Sequence, residues 1–298
     1  MKRIWLALLT THCVIGSNQS PRARDLPDEW LVDRVRVLAV QANPPEASPG
    51  ATVSFNALVP QPGTDGDYGI AWFTCPPTDD GGIGFGCTLP DPSGIDPTDP
   101  EALAALGLIG FEPFLEPLYT VPDDALDTLA AEDRAEGLYQ LVQVTAFPPE
   151  YLDPETAPEA IDFGEVEAAY KRLIISEART PNRNPLLSRW AVDGIDTPEG
   201  AILTVEAGQT YGFATTVAES LVEQYLFVNS EGTEEWRTEE PYVNWYCTDG
   251  ELLQNLTLHP YLDVNWVAPR SGTSGTLYAV VRDRRGGMAW ITRPFTVR

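Results

Sequence analysis

Four cysteines, two histidines and a large excess of carboxylates are the groups in this chain that could do chemistry. Cys75 and Cys87 bracket a loop, residues 76–86, made largely of Pro, Asp and Gly, which can fold back and bring two thiols to bonding distance. A disulfide there would close a short loop and contribute roughly 2–3 kcal/mol on the chain-entropy argument. Cys13 stands just after the apolar residues 4–9, where the lipid-accepting cysteine of an exported protein would stand. Cys247, beside Trp245 and Tyr246, reads as a buried small hydrophobe rather than a reactive thiol. No CxxC pair and no cysteine–histidine cluster occurs, so cysteine-based metal ligation is not expected.

Hydrolytic machinery is equally thin. Beyond His12 the sequence holds one histidine, His259, so no histidine pair can ligate a metal. A Ser-His-Asp set would have to be built around that residue, between Leu258 and Pro260 near a turn. A serine–lysine pair would need Lys171, which sits on a strand-like run where an outward-facing charge is the plainer expectation. Asp and Glu are so numerous that some pair always lies close, and a solvated acidic surface accounts for them better than a glycosidase pair. The chain is therefore read as no enzyme. Asp65-Gly66-Asp67, Asp79-Asp80-Gly81 and Asp91-Pro92-Ser93 offer loop oxygens of the kind calcium takes, without EF-hand spacing; no cofactor other than calcium is suggested. Among the aromatics, Trp72 and Trp245 read as the tryptophan that a sandwich buries on its third strand. Trp236 and Trp266 are the candidate glycan-facing rings, with Trp236, between Glu235 and Arg237, expected to be exposed.

These residues need elements to hold them. Lys and Arg number 19 against 44 Asp and Glu, a net charge of −25, and Lys2 and Lys171 are the only lysines. A surface so acidic repels phosphate backbones and anionic headgroups, which argues against nucleic acid and against electrostatic membrane docking. Met1, Lys2 and Arg3 followed by the apolar residues 4–9 predict a signal peptide over 1–16, with a linker over 17–29. Two processing outcomes fit: lipidation at Cys13, or cleavage before Ser17. No later stretch approaches the roughly 20 apolar residues of a spanning helix, so membrane attachment is expected through an N-terminal lipid alone.

The rest of the chain is short strand-like runs broken by turn residues. Residues 32–40 alternate as a half-buried strand, 51–59 follow Pro49-Gly50, and 68–75 carry Trp72. An internal repeat decides the architecture. Residues 50–59 are echoed by 208–217, with Gly, Thr, Phe and Val in step, and Leu138-Tyr139 is echoed by Leu277-Tyr278. Trp72 before Cys75 likewise matches Trp245 before Cys247. The offset falls from 158 residues (50 to 208) to 139 (138 to 277), so the first copy carries about 19 extra residues. A helix beginning at Pro100 with Asp99 as its cap, and a short helical connection over 121–129, are predicted there. The fold class expected is all-β: two tandem immunoglobulin-like β-sandwiches, domain 1 over 30–179 with a short helical insertion, a linker over 180–186, and domain 2 over 187–298.

The chain resembles predicted surface lipoproteins of Gram-negative bacteria with tandem immunoglobulin-like domains. The resemblance rests on Arg36-Val37-Leu38-Ala39-Val40 with Pro44-Pro45-Glu46 and Pro49-Gly50 behind it, on Thr180-Pro181-Asn182-Arg183-Asn184-Pro185, and on Leu277-Tyr278-Ala279-Val280-Val281-Arg282-Asp283. It implies a location in the cell envelope, at the outer membrane or in the periplasm, and a non-catalytic binding or structural role with a protein or glycan partner. The alternative is a carbohydrate-binding module of an exported degradative system.

Overall fold

The computed structural model describes residues 28–63, 67–75, 100–152, 163–228, 233–270 and 272–298. The first half contributes β1 (Ala39–Asn43), β2 (Glu46–Ala47), β3 (Thr52–Leu58), β4 (Gly69–Thr74), β5 (Leu108–Glu112), β6 (Leu118–Thr120), β7 (Leu138–Phe147) and β8 (Glu167–Ile175), with one helix, α1 (Pro100–Ala105). The second contributes β9 (Leu187–Val192), β10 (Ile195–Asp196), β11 (Leu203–Val205), β12 (Thr210–Val217), β13 (Gln224–Val228), β14 (Glu234–Thr238), β15 (Tyr242–Cys247), β16 (Glu251–Leu252), β17 (Leu256–Leu258), β18 (Asp263–Val267), β19 (Ser274–Arg282) and β20 (Met288–Val297).

The repeat legible in the sequence is a repeat of topology. One sheet runs β2-β8-β7-β4-β5 in the first half and β11-β20-β19-β15-β17 in the second. In each, a short strand pairs parallel with the last long strand, and the other pairings are antiparallel. The facing sheets are β1-β3-β6 and β10-β9-β12-β18-β16. Two facing sheets in this order, twice, are two immunoglobulin-like sandwiches, and the described residues are all-β apart from α1 and three short 3-10 turns. Alternation builds each inner face: in β3, Val53 and Phe55 are buried while Thr52 and Asn56 are exposed.

Both cores centre on the third-strand tryptophan. Trp72 lies fully buried with its ring 5.8 Å from Phe55, and its Nε1 donates to Glu112 Oε1 at 2.8 Å. Trp245 packs at 5.5 Å against Trp190, and its Nε1 donates to Thr257 Oγ1 at 2.9 Å. Each indole thus keeps its apolar area in the core while its one donor finds a partner.

Two elements differ from the sequence reading. Residues 121–129 form successive turns, with i+3 bonds such as Ala125 N to Pro122 O at 3.1 Å, and no helix; Leu126 at their centre plugs the first core, which fixes the segment by packing rather than by helical bonding. Of residues 32–40, only Ala39 and Val40 join β1. Leu38 N still donates to Leu58 O at 2.9 Å, at the end of β3, while residues 30–32 cross to the other sandwich. Val32 N donates to Cys247 O at 2.8 Å, Cys247 N donates to Trp30 O at 3.0 Å, and Trp30 packs against the second core. The apolar alternation of Val32 and Leu38 is real, but the face it seeks is Tyr278 and Tyr246 of the second half.

Candidate binding surface

The buried chemistry of the molecule lies where the two sandwiches meet. Asp283 begins the turn between β19 and β20, and its carboxylate accepts the N–H groups of Arg285 at 2.7 Å and Gly287 at 2.9 Å. A side chain at position 287 could not coexist with this geometry, because its Cβ would fall 2.1 Å from Asp283 Oδ2 and 2.9 Å from the Arg183 carbonyl. The folded turn places Arg285 among three carboxylates: Glu239 at 2.9 Å, Glu223 at 3.3 Å and Glu46, from the first sandwich, at 3.7 Å. Glu46 is further held by Ser176 Oγ and by Asn182 N at 2.6 Å, while Asn182 Nδ2 donates to Asp283 Oδ2 at 2.9 Å. The segment between β8 and β9 is therefore built into both halves. Asn184 Nδ2 adds a bond to Ala42 O at 2.8 Å, and Gln41 Nε2 one to Met288 O at 2.5 Å.

Lys171 corrects the sequence reading. It is 3 % exposed rather than outward-facing, and its Nζ donates to the Gly286 carbonyl. Its strand, β8, is covered there by the turn from the second sandwich. Desolvation lowers its pKa to about 8, with Asp283 opposing the shift and Arg282 adding to it. The same withdrawal from water raises Asp283, against hydrogen bonds from Asn182, Arg285 and Gly287 and the charge of Lys171. Burial also raises Glu239; the Glu223 N–H and Arg285 oppose that shift, and the charge of Asp283 adds to it.

From this ionic base rises a hairpin that has no counterpart among the described residues of the first half. Strands β13 and β14 pair only with each other, inserted between β12 and β15. Glu223 and Glu239, at the hairpin's foot, are two of the three carboxylates on Arg285. One face meets the body at its foot, where the Arg285 guanidinium lies 4.5 Å from the Tyr225 ring, and farther along the same face, within the hairpin, Arg237 lies 3.5 Å from the Phe227 ring. Because strand side chains alternate, Leu226 and its cross-strand partner Trp236 face the other way, and Trp236 is 70 % exposed. An exposed Trp–Leu pair on a braced hairpin can offer a rigid apolar contact.

The candidate glycan-facing rings divide. Trp236 is exposed as expected, but Trp266 is fully buried, 4.9 Å from Phe295 and 5.7 Å from Phe213, with its Nε1 donating to Asp249 O at 3.1 Å. Its strand β18 alternates, and Trp266 falls on the inward phase with Val264. Cys247 is a free, buried cysteine, its pKa pushed up to about 12 by burial, with Trp266 and the Asp249 backbone opposing and the Asp249 charge adding. Cys75 is buried at the end of β4, its N–H donating to Leu141 O at 2.9 Å. Its expected partner Cys87 lies outside the described residues. So do Cys13 with the whole N-terminal segment, Asp99, and the calcium candidates apart from Asp67. Among the described residues, no group of three or more His, Cys, Asp or Glu side chains is arranged to hold a metal ion, and no helix is long and apolar enough to cross a membrane. His259 Nε2 lies 3.3 Å from Glu219 Oε1.

No protein-family model and no curated protein matches the chain. Solved structures to which the chain is similar include the fibronectin(III)-like modules of Clostridium thermocellum CbhA, at 8 % identity and TM-score 0.27, covering 87 % of this chain and 94 % of that one. The D0-D1 domain of intimin aligns at 11 % identity and TM-score 0.23, over 87 % of this chain and 98 % of that one. The tandem Ig repeats of Dlar align at 11 % identity and TM-score 0.27, over 90 % and 96 %. The assignment of two sandwiches rests on the strand pairing of this chain itself.

Proposed function

We propose that this chain is an exported, non-catalytic binding protein of the cell envelope, in which two sandwiches locked in one orientation present the β13–β14 hairpin to a partner. The observation that carries the reading is the Leu226–Trp236 pair, exposed on a hairpin whose foot is fixed by Arg285. Attachment by a lipid on Cys13 belongs to the same proposal, supported by the basic and apolar residues before it. Its test is the intact mass of native protein from an envelope fraction, alkylated without reduction. A diacylated Cys13 is the expected species, a chain beginning at Ser17 would overturn the anchor, and the number of alkylated thiols reads the Cys75–Cys87 pairing. A photo-crosslinker at position 226 tests the surface: an adduct that Trp236→Ala abolishes is expected, no adduct would move the contact elsewhere, and an adduct indifferent to Trp236→Ala would remove Trp236 from it. Carbohydrate recognition is the second reading, favoured by the exposed Trp236 ring, and a glycan array discriminates it.

A further inference from the structure

We propose that the open flank of the second sandwich, between β9 and β20, binds a carboxylate carried on an extended polypeptide, with Arg293 as its anchor. Arg293 stands opposite the buried Leu277 in the β19–β20 pairing, so its side chain enters the space between the sheets rather than leaving it. The residue is 4 % exposed, and its guanidinium lies 5.6 Å from the Trp190 ring. Among the described residues its hydrogen bonding is limited to NH1 on the neighbouring Thr292 carbonyl at 2.9 Å. Its Nε has no partner, and neither does the buried Trp190 Nε1, and both residues line the groove that runs along this flank.

A buried guanidinium without a counter-ion costs several kcal/mol unless an anion meets it. That cost is out of place in a chain where acids outnumber bases 44 to 19. Burial lowers the pKa of Arg293, and Glu199 at the rim opposes the shift without forming an ion pair with it. The unpaired Nε and the adjoining amino group have the side-on geometry that takes a carboxylate through two parallel bonds, the Nε, now withdrawn from solvent, becoming reachable when the guanidinium turns toward the groove.

The strand edges indicate what carries that carboxylate. Strand β10 covers only Ala191 and Val192 of β9, and β11 covers only residues 295–297 of β20. Residues 187–189 and 290–293 therefore have no strand neighbour on this flank among the described residues, while the Trp190 carbonyl is taken by the Thr197 N–H at 2.9 Å and the Thr292 carbonyl by Arg293. An extended peptide lying here can add main-chain hydrogen bonds along an edge while its acidic group reaches Arg293. A free small acid could use only the second of these. The site is separate from the hairpin and does not depend on any lipid anchor.

The test is a titration of the full chain, with the Arg293 Nε–H followed by 15N NMR. The probes are acetyl-Thr-Val-Glu-Val-Thr-amide, its Gln counterpart, and a Thr-Val repeat with a free C-terminal carboxylate. A shift of the Nε–H signal is expected with one of the two carboxylate probes, which binds about tenfold or more tightly than the Gln peptide. Which of the two binds tells a side-chain carboxylate from a chain terminus. Arg293→Lys, checked for an unchanged folded spectrum, should erase the difference. Equal affinity for the Glu and Gln peptides with an unmoved Nε–H would overturn the proposal. So would an Nε–H already protected in the free protein and released by Glu199→Gln, since the guanidinium would then have its partner within the chain.

Discussion

Arg285 of the second sandwich and Glu46 of the first approach to 3.7 Å with little solvent around either. The guanidinium also serves Glu223 and Glu239, so one cation holds together the two halves and the hairpin. Replacing it with Met would strand buried carboxylates without a counter-charge, and a loss of about 3–5 kcal/mol is expected. Denaturant unfolding of Arg285→Met against the parent measures it; a loss below about 1 kcal/mol would mean that water already screens the cluster.

Lys171 predicts a pH dependence. Its pKa is lowered to about 8 in the folded chain and stands near 10.5 when unfolded, so between those values the unfolded chain holds a proton that the folded chain has released. Stability then rises with pH across that window, and below about pH 8 the folded chain bears the full cost of burying the charge. Unfolding midpoints measured from pH 7 to 10 should rise more steeply in the parent than in Lys171→Met. Parallel profiles would refute the assignment.

Cys247 should behave as an inert thiol. With its pKa raised to about 12 and its sulfur in the core, almost no thiolate exists at neutral pH. Peptide mapping after iodoacetamide treatment at pH 8 should find it unmodified in native protein and fully modified in denaturant.

Trp236→Ala separates binding from stability. Since the ring is 70 % exposed, its removal should change unfolding by no more than about 0.5 kcal/mol. A greater loss would show that the ring packs on something in solution, and the hairpin would then be a structural brace.

Local patterns carried the architecture into the sequence. The Gly-Thr-Phe and Leu-Tyr echoes mark strands β3, β12, β7 and β19, and the tryptophans before Cys75 and Cys247 mark the two cores, because alternation and turn chemistry are short-range properties. Trp266 and Lys171 were misplaced for one shared reason. Whether a strand residue faces water depends on what covers its sheet, and the covering elements come from distant parts of the chain. The ionic junction was illegible for the same reason: Glu46, Asn182, Glu223 and Arg285 carry no common spacing. The hairpin left a faint signal, the Glu-Glu-Trp-Arg run flanked by polar residues, in which a lone tryptophan has no apolar neighbours to bury it.

The pairing of Trp30 and Val32 with Cys247 also bears on how the fold is reached. An edge of the second sandwich is completed by residues that precede the first sandwich in sequence, and Glu46 waits for Arg285 in the same way. Such contacts raise the mean sequence separation that a folding chain must close, and chains of that kind fold slowly. The first sandwich cannot acquire its native surroundings as it is made. Its neighbours at Tyr278 and Arg285 are synthesised after it, so both halves should become protease-resistant in a single late step rather than in succession.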